Sequence, residues 1–472
     1  MTLVEALSRF AAEVDYDGLP DDVRRSLRER MLDIVGLILA ARPLATSDAA
    51  FRVAERWGGP AEALAIGFDR RLPAAGAAFV NGVLAHSLDF DDTHLPSVLH
   101  PSASIVPVTL AVGEETGAGV EEMLAAAAAG YEVCIRTGMA GYDRERGNSV
   151  FFERGWHATS ICGTLAGAVV AAKLYGLRAD GIGHAIGIAS SSGSGIIEAN
   201  RAGGSVKRLH CGWAAHAGII AAQLAKAGIT GPSTALEGRF GFYQAFCGGR
   251  FDGDEITRGL GERWSIPGIF YKPYPANHFT HAGIDAAMEL RSKVELDDIE
   301  RIELKVASPT LRTIAEPRDQ KIRPESGYHA QFSGPFTVAA ALLGGGGLGL
   351  WLEDFSDENA ADRRYLELAA KVHCASEPRL DEIFPHQFPA ILEIRTRDGR
   401  SLRAEILGNR GGDQRPLSVE ELKAKFLANA GRVLDRAATE ALATGLLDPA
   451  TRTAEELLAP IAAPAETRAG SA

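Results

Sequence analysis

Helical periodicity recurs along the first half of the chain and constrains its fold more than any other feature. Between Pro20 and Pro43, apolar residues recur mostly at spacings of three and four, which places them on one face of a helix. Many later segments consist of Ala, Gly and Ser, whose small side chains let helices approach closely. The sequence therefore predicts a large all-helical domain. Its further helical patterns lie at about 74–88, 103–117, 120–139, 157–175, 178–191, 208–227 and 236–246.

The pattern changes after Pro267, where strands join the helices. Residues 299–308, IERIELKVAS, alternate apolar and polar side chains as a half-buried strand does. Residues 390–408 have the pattern of two strands joined by an Asp-Gly turn. Helical patterns near 331–344 and 359–371 lie between these strands. This part of the chain is therefore expected to be of the α+β type.

The helical pattern returns towards the C-terminus. Ser418, followed three residues later by Glu421, is the signature of a capping box at the start of an amphipathic helix. We therefore expect the helical domain to comprise residues 1–269 and 409–472, with an α+β domain over 270–408 inserted into it. The predicted fold class is mainly α.

Charge and cysteine content exclude several classes of protein. The formal net charge is -12 and no long run of Lys or Arg is present, so a nucleic-acid partner is not expected. The five cysteines are scattered and form no CxxC pair, which fits a reducing compartment. Acidic residues near the N-terminus differ from a secretory signal, and apolar runs such as 165–177 are too short for a bilayer. We expect a cytoplasmic protein without a membrane partner.

One short segment, HSLDFDDTHLPSVLHPS at residues 86–102, concentrates groups that carry out chemistry. It holds three carboxylates, a threonine and three imidazoles. Asp89 and Thr93 are four residues apart, so they share a face if the preceding helix continues that far, while His100 lies in a loop between two prolines. The alternatives are a cap-and-turn cluster that binds backbone amides, or a divalent metal site, although the spacing matches no regular ligand motif.

Two further segments combine imidazole or cationic groups with small-residue helices. In FERGWHATS, His157 directly precedes a helix whose N-terminal amides and dipole favour a bound anion, with a structural cap as the alternative. In GGSVKRLHCGWAAH, Lys207 and His210 would share a helical face, and the helix dipole gives no reason for a cation at that end. An anionic ligand would supply that reason. A solvated pair of Lys207 and Arg208 is the alternative.

A third segment, YKPYPANHFTHAGID, lies near the expected domain boundary, where ligand clefts often form. It contributes Lys272, His278 and His281, and a simple loop with a helix start is the alternative. If the ligand is an anion, its site must be a local cationic pocket in an otherwise acidic protein.

Four motifs together resemble the MmgE/PrpD family. They are HSLDFDDTHLPSVLHPS, GWHATSICGTLAGA, SVKRLHCGWAAHAGIIAAQLAKAGITGP and KPYPANHFTHAGIDAA, whose order and spacing match over nearly the whole chain. The family includes 2-methylcitrate dehydratases, cis-aconitate decarboxylases and iminodisuccinate epimerases. The resemblance implies a large all-helical domain with a smaller inserted α+β lid domain, a homodimer, and catalysis without a metal or organic cofactor.

The resemblance also implies an active site. Proton transfer next to a carboxylate requires a base and cations that stabilise the developing negative charge. His100 or His157 would move the proton, Lys207 would hold a carboxylate of a small polycarboxylic acid, and Asp89 and Thr93 would orient the imidazoles or the substrate. The implied catalytic residues are Asp89, Thr93, His100, His157 and Lys207, and the implied substrate-binding residues are Lys272, His281 and Arg208.

Two departures from the family bear on the reaction type. Family members often have a tyrosine where this chain has Phe336, and epimerase-type members have one near the position of Phe152. Neither hydroxyl is available, which disfavours an epimerase and weakens a decarboxylase assignment. A 2-methylcitrate dehydratase-like lyase is the first expectation, with an epimerase, isomerase or decarboxylase of a related dicarboxylate or tricarboxylate as the alternative. A binding protein without turnover and a metal-dependent hydrolase are the remaining hypotheses.

Overall fold

The computed structural model describes residues 1–199, 203–448, 450 and 453–462. The spatial clustering of Cα atoms divides the chain into two compact units. Unit 1 comprises Met1–Ser87, Asp91–Ile269 and Leu422–Ala472, and unit 2 comprises Leu88–Phe90 and Phe270–Glu421.

Residues 409–421 cluster with unit 2, whereas the sequence predicts them in the helical domain. Arg410 donates to the Tyr274 hydroxyl at 3.2 Å, and Arg415 donates to the Asp285 carboxylate at 2.7 Å. These polar contacts attach the segment to unit 2. That residues 270–408 form a folding domain of their own stays a prediction.

Unit 1 is built mainly of helices before Ile269. The periodic segments predicted between about residues 20 and 227 each form a helix within a few residues of the expected bounds. A short 3-10 helix, Val206–Leu209, directly precedes His210–Lys226, and another, Ile266–Gly268, follows the last α-helix of this part. In chain order the elements are α1 Leu3–Glu13, α2 Asp21–Ala41, α3 Ala45–Glu55, β1 Ala63–Ala65, β2 Arg70–Leu72, α4 Ala74–Ala85, α5 Ser102–Thr116, α6 Val120–Ala140, β3 Tyr142–Asp143, β4 Asn148–Ser149, α7 Val150–Glu153, α8 Ala158–Leu174, α9 Ala179–Ala189, α10 His210–Lys226, α11 Phe242–Cys247 and α12 Asp254–Thr257.

Close approach of helix backbones explains why these helices are rich in glycine and alanine. A Cβ atom on Gly82 of α4 would lie 2.8 Å from the Gly212 Cα of α10. On the other side of α10, a Cβ on Gly218 would lie 2.8 Å from the Ala168 nitrogen of α8. Real Cβ atoms do not come this close, so any larger residue would push the helices apart. Helix α10 is thereby held firmly against both α4 and α8.

Two predicted helices are shorter than expected. The pattern at 74–88 ends as α4 at Ala85, because the Ser87 hydroxyl donates to the Val83 carbonyl at 2.6 Å and the chain then turns. The pattern at 236–246 becomes helical only at Phe242, because Gly238 and Gly241 form a turn before it.

Unit 2 combines helices with one four-stranded sheet. The strand order is β6 (Val372–Ser376), β5 (Ile299–Val306), β7 (Ala390–Thr396) and β8 (Ser401–Ile406), with β5 parallel to β6 and the other pairs antiparallel. The predicted hairpin is present, and Gly399 takes the left-handed conformation that its Asp-Gly turn requires. The elements are α13 His281–Arg291, β5 Ile299–Val306, α14 Leu311–Ile314, α15 Arg318–Ile322, α16 Gly327–Ala330, α17 Gly334–Leu343, α18 Asp357–Ala361, α19 Arg363–Ala370, β6 Val372–Ser376, α20 Pro378–Asp381, β7 Ala390–Thr396 and β8 Ser401–Ile406, with 3-10 helices at His278–Thr280, Leu296–Asp298, Ser308–Thr310 and Leu352–Phe355.

Three helices complete the described chain, α21 Val419–Ala430, α22 Arg436–Leu447 and α23 Ala454–Ala462. The predicted capping box starts α21, since Glu421 N–H donates to Ser418 Oγ at 3.1 Å and Ser418 N–H donates to the Glu421 carboxylate at 2.9 Å. From α21, Lys425 reaches Asp33 of α2 at 2.7 Å, so a buried ion pair joins this segment to the first helices of unit 1.

The predicted mainly α fold class is confirmed. Among the residues that the structure describes, no single helix has both the length and the apolar character needed to cross a membrane. Helices α2 and α3 are long and apolar enough only when taken together, and the chain bends by 98° between them. That unit 2 acts as a lid stays a prediction.

Candidate active site

Four histidines from four different helix ends meet inside unit 1. His86 follows α4, His100 precedes α5, His157 caps the start of α8, and His210 is the first residue of α10. We call them the imidazole cluster. Ring centroids lie 5.2 Å apart for His86 and His100, 5.5 Å for His86 and His157, and 5.0 Å for His157 and His210. All four side chains are buried, so water competes little with their interactions.

His100 is held in a defined tautomer. Its Nδ1 lies 2.7 Å from the backbone carbonyl oxygen of Asp92 and 3.3 Å from Thr93 Oγ1. Because a carbonyl oxygen can only accept, Nδ1 carries the proton in this contact. In the neutral ring Nε2 is then left with its lone pair, which makes it the atom able to take up a proton. Thr93 therefore lies where it can help to orient this ring.

His86 and Asp91 form a second oriented pair. Asp91 Oδ2 lies 2.7 Å from His86 Nδ1 and 3.9 Å from His100 Nδ1. Within the described part of the chain, His86 Nε2 is buried and has no hydrogen-bond partner. The carboxylate thus orients one ring directly and adds negative charge next to the other.

Asp92 has a structural role beside the cluster. Its carboxylate lies 2.6 Å from Arg30 and also accepts hydrogen bonds from the amide and hydroxyl of Ser102. Burial raises the pKa of Asp92, while the Arg30 guanidinium opposes that rise. This network fixes the backbone carbonyl on which His100 depends.

His157 and His210 face each other through nitrogen atoms. Their Nδ1 atoms are 2.9 Å apart. Burial, followed by the charges of His86, His210 and Lys207, holds the pKa of His157 well below its usual range. Burial, together with His86 and Lys207, lowers the pKa of His210 to about 4. Both rings are therefore neutral near pH 7.

Lys207 is the cation of this site. It lies in the 3-10 helix before α10, its side chain is buried, and its charge lowers the pKa of both His157 and His210. A buried ammonium group beside neutral imidazoles is suited to an anionic ligand, because charge-assisted hydrogen bonds are strong where water is excluded.

We expect the neutral histidine pair to make folding sensitive to acid. The folded-state pKa of His210 is about 4 against a usual value of 6.5, so the unfolded chain binds a proton that the folded chain does not. The free energy of unfolding should therefore fall as the pH drops from about 6.5 to about 4, by up to about 1.4 kcal/mol per pH unit for this group. Urea titrations near neutral pH and at about pH 5 would measure the change.

The H210N variant provides the control for this acid effect. Buried carboxylates such as Asp92, whose raised pKa acts in the opposite direction, remain in both proteins, so the difference between wild type and H210N reports His210 together with its coupling to His157. Equal losses of stability in the two proteins would contradict the assignment.

Asp89 clusters with Lys272 in unit 2 and does not lie on a helical face shared with Thr93. Helix α4 ends at Ala85 and Asp89 has a left-handed backbone with φ 51°, so the expected helical face shared with Thr93 does not exist. Lys272 Nζ donates to the Asp89 carbonyl at 2.8 Å and lies 3.3 Å from its carboxylate, with both side chains buried. Lys272 and Asp89 thus form a compensated buried pair.

The other predicted substrate-binding residues occupy separate places. His281 begins α13 in unit 2, its Nε2 lies 3.0 Å from the Ala276 carbonyl, and its ring is 4.5 Å from that of His278. In unit 1, Arg208 lies 3.4 Å from the Thr46 hydroxyl of α3. Substrate binding by Arg208 and His281 stays a prediction.

The two phenylalanines at family tyrosine positions have different surroundings. The Phe152 ring lies beside the imidazole cluster, with its centroid 6.4 Å from that of the His157 ring. Phe336 is fully buried in the core of unit 2, where its ring stacks on Tyr365 at 5.4 Å. In this chain Phe336 therefore contributes to packing, and only Phe152 borders the cluster.

The geometry also bears on a metal site and on the thiol of Cys211, which directly follows His210. Within the described residues, no three His, Cys, Asp or Glu side chains are arranged so that they could hold a metal ion. Burial raises the pKa of Cys211 well above its usual range, so its thiol stays protonated.

The sequence did not single out His86, Asp91 and His210 as site residues. The only sequence signal for these residues was their position next to predicted site residues: His86 opens the acid-rich motif, and His210 follows Lys207 by three residues. Their contacts depend on helix ends that are distant in sequence. Thr93, His100, His157 and Lys207, which the sequence did predict, all lie in unit 1.

The fold and this site define a mainly α protein with a buried centre of oriented imidazoles and one lysine. Such a centre is suited to proton transfer on an anionic ligand. The chain belongs to the MmgE/PrpD family, because the model of the MmgE/PrpD N-terminal domain matches residues 5–253 and that of the C-terminal domain matches residues 274–448.

Several relatives are enzymes named cis-aconitate decarboxylase. The one from Aspergillus terreus is 26% identical over 448 residues, covering 91% of this chain and 89% of the relative. The one from Mus musculus is 30% identical over 403 residues, covering 82% and 76%, and the one from Homo sapiens is 29% identical over 450 residues, covering 90% and 87%. These similarities extend over both units.

Proposed function

We propose that this protein is a lyase that acts on a small polycarboxylic acid by proton transfer at a carbon next to a carboxylate. The observation that carries the proposal is the tautomer of His100, whose Nδ1 donates to the Asp92 carbonyl so that its Nε2 has the lone pair that can accept a proton. Lys207 supplies the positive charge that such a substrate needs nearby, and the buried surroundings strengthen that attraction.

We assign each candidate site residue of unit 1 a distinct role in the proposed reaction. His100 Nε2 and His157 Nε2 exchange protons with the substrate, and Lys207 binds a carboxylate and stabilises the negative charge that develops next to it. Thr93 and Asp91 orient His100 and His86. Asp89 orients Lys272 in unit 2, and we propose that Lys272 binds substrate anions only after this pair separates.

Decarboxylation of a cis-aconitate-like acid is the first candidate reaction, in agreement with the names of the relatives. The bond between carbon and the departing carboxylate breaks, CO2 leaves, and the electron pair stays on carbon. An imidazolium or neutral N–H of the cluster then donates a proton to that carbon. Phe336, at a family tyrosine position, argues less against a decarboxylase than the sequence suggests, because its ring packs in the core of unit 2.

Dehydration, the first expectation from the sequence, is the second candidate. The tautomer of His100 favours it, because dehydration begins with removal of a proton from carbon and Nε2 has the lone pair that can accept that proton. Water then leaves from the neighbouring carbon as a double bond forms. Epimerisation is less favoured, because Phe152 offers no hydroxyl beside His157 as a second acid or base.

Incubation with a panel of acids in deuterated water tests the proposal. The panel contains cis-aconitate, 2-methylcitrate, citrate and an aspartate-derived dicarboxylate. Release of CO2 with uptake of one deuterium on carbon indicates decarboxylation, and a new conjugated double bond without CO2 indicates dehydration. Deuterium exchange without either product indicates an epimerase, and no reaction or exchange with any acid would contradict the proposed function.

We expect the K207A variant to lose substrate affinity and turnover. Removal of a charge-assisted contact to a carboxylate should reduce kcat/KM by about 10- to 100-fold, with K207R recovering part of the loss. Steady-state kinetics on the active acid would measure this. K226A, at an exposed lysine of α10, is the matched control and should behave as wild type. Unchanged turnover in K207A would rule out the assigned role.

A further inference from the structure

The contact between His157 and His210 restricts where protons can lie. Their Nδ1 atoms are 2.9 Å apart, a hydrogen-bond distance. Two lone pairs, or two N–H groups, facing each other at this distance would repel. One proton therefore lies between the two atoms, donated by one ring and accepted by the other.

The backbone fixes this contact on both sides. The N–H of His157 donates to the Gly195 carbonyl at 2.9 Å, and the carbonyl of His210 accepts from Ser160 Oγ at 3.1 Å. Helices α8 and α10 are also packed so closely that Gly218 leaves no room for a Cβ atom. The two rings are thus held together by rigid elements, which is the arrangement that orients a functional side chain well.

We propose that His210 is a positioning residue for His157. By occupying Nδ1 of His157, it confines proton exchange with any ligand to the Nε2 atom of that ring. The hydrogen bond also fixes the rotation of the ring, as a histidine partner does in other acid–base sites. The consequence for turnover rests on the proposed lyase function, whereas the effect on the tautomer does not.

The low pKa of both rings supports this role. With both imidazoles neutral near pH 7, the pair keeps a single proton between the two Nδ1 atoms, and Lys207 disfavours a second one. A residue that only filled space beside His157 would leave both of its nitrogens free to change tautomer.

Nitrogen-15 NMR of histidine rings tests the proposal without a substrate. The rings are labelled selectively, and His157 is assigned by its loss in H157Q. We expect the Nδ1 signal of His157 to show a hydrogen bond in wild type, to lose it in H210A, and to regain it in H210N, whose amide occupies the position of Nδ1. An unchanged His157 spectrum in H210A would overturn the proposal.

Kinetics give the second measurement. We expect H210A to lower kcat by about 10- to 100-fold with KM changed little, and H210N to recover most of kcat. H216N, on the same helix and bonded to the Ala75 carbonyl, is the matched control and should keep wild-type kcat. An H210A variant that changes only KM would overturn the proposal. If wild type turns over none of the acids, the lyase function fails, and the NMR result still decides the role of His210.

Discussion

Replacing His100 with asparagine is expected to reduce kcat by about two to four orders of magnitude, the usual contribution of a general acid or base. The asparagine amide can still donate to the Asp92 carbonyl, which the Nδ1 of His100 contacts at 2.7 Å. The loop should therefore keep its shape while Nε2 is lost. Steady-state and single-turnover kinetics on the acid that wild type converts would measure the effect.

Two further variants separate proton transfer from folding. H100A removes both nitrogens, and its kcat should be as low as that of H100N if only Nε2 acts on the substrate. H94N changes a histidine in the same loop whose Nδ1 contacts Ser97 at 2.6 Å, so its kcat should stay within a few-fold of wild type. An H100N variant that keeps more than about a tenth of the wild-type kcat would exclude His100 as the main base.

Replacing Arg30 with methionine is expected to lower the free energy of unfolding by about 3–5 kcal/mol, the usual cost of leaving one partner of a buried ion pair alone. The guanidinium lies 2.6 Å from Asp92 and both side chains are almost fully buried. It also donates to the carbonyls of Ile266 and Ile269 at 3.0 Å and 2.8 Å. Urea denaturation monitored by circular dichroism would measure the loss.

A second substitution and an exposed pair serve as controls for this prediction. R30M combined with D92L removes the uncompensated charge and should recover part of the lost stability. R436M breaks a pair with Glu440 on the surface of α22 at 2.9 Å and should cost less than about 1 kcal/mol. A loss below about 1 kcal/mol in R30M would show that Asp92 finds other partners or becomes protonated.

Local sequence patterns predicted most of the longer helices, strand β5 and one hairpin of the sheet. The periodicity of α2 and the capping box at Ser418 depend on residues close together in the chain. Strand β6, Val372–Ser376, was not predicted, because its five residues have no clear alternation and its place is set by parallel pairing with β5. The start of α11 was missed because Gly241 takes part in a turn rather than a helix.

The candidate site was predicted in part. His100, His157 and Lys207 were identified from motifs, and they lie in unit 1 together with Thr93. The face expected for Asp89 and Thr93 was wrong, because it required α4 to continue to Thr93, whereas α4 ends at Ala85. Asp89 instead contacts Lys272, a residue almost two hundred positions later, and no local pattern encodes such a pair.

The sequence by itself determined the helical character, the family and the short segments that carry chemistry, because periodicity and motif spacing are local properties of a chain. Only the tertiary structure decided that His86 and His210 join His100 and His157, because their contact depends on close packing of α4, α8 and α10. It also decided the charge of His157 and His210, since burial and neighbouring charges, not residue type, keep these two rings neutral near pH 7.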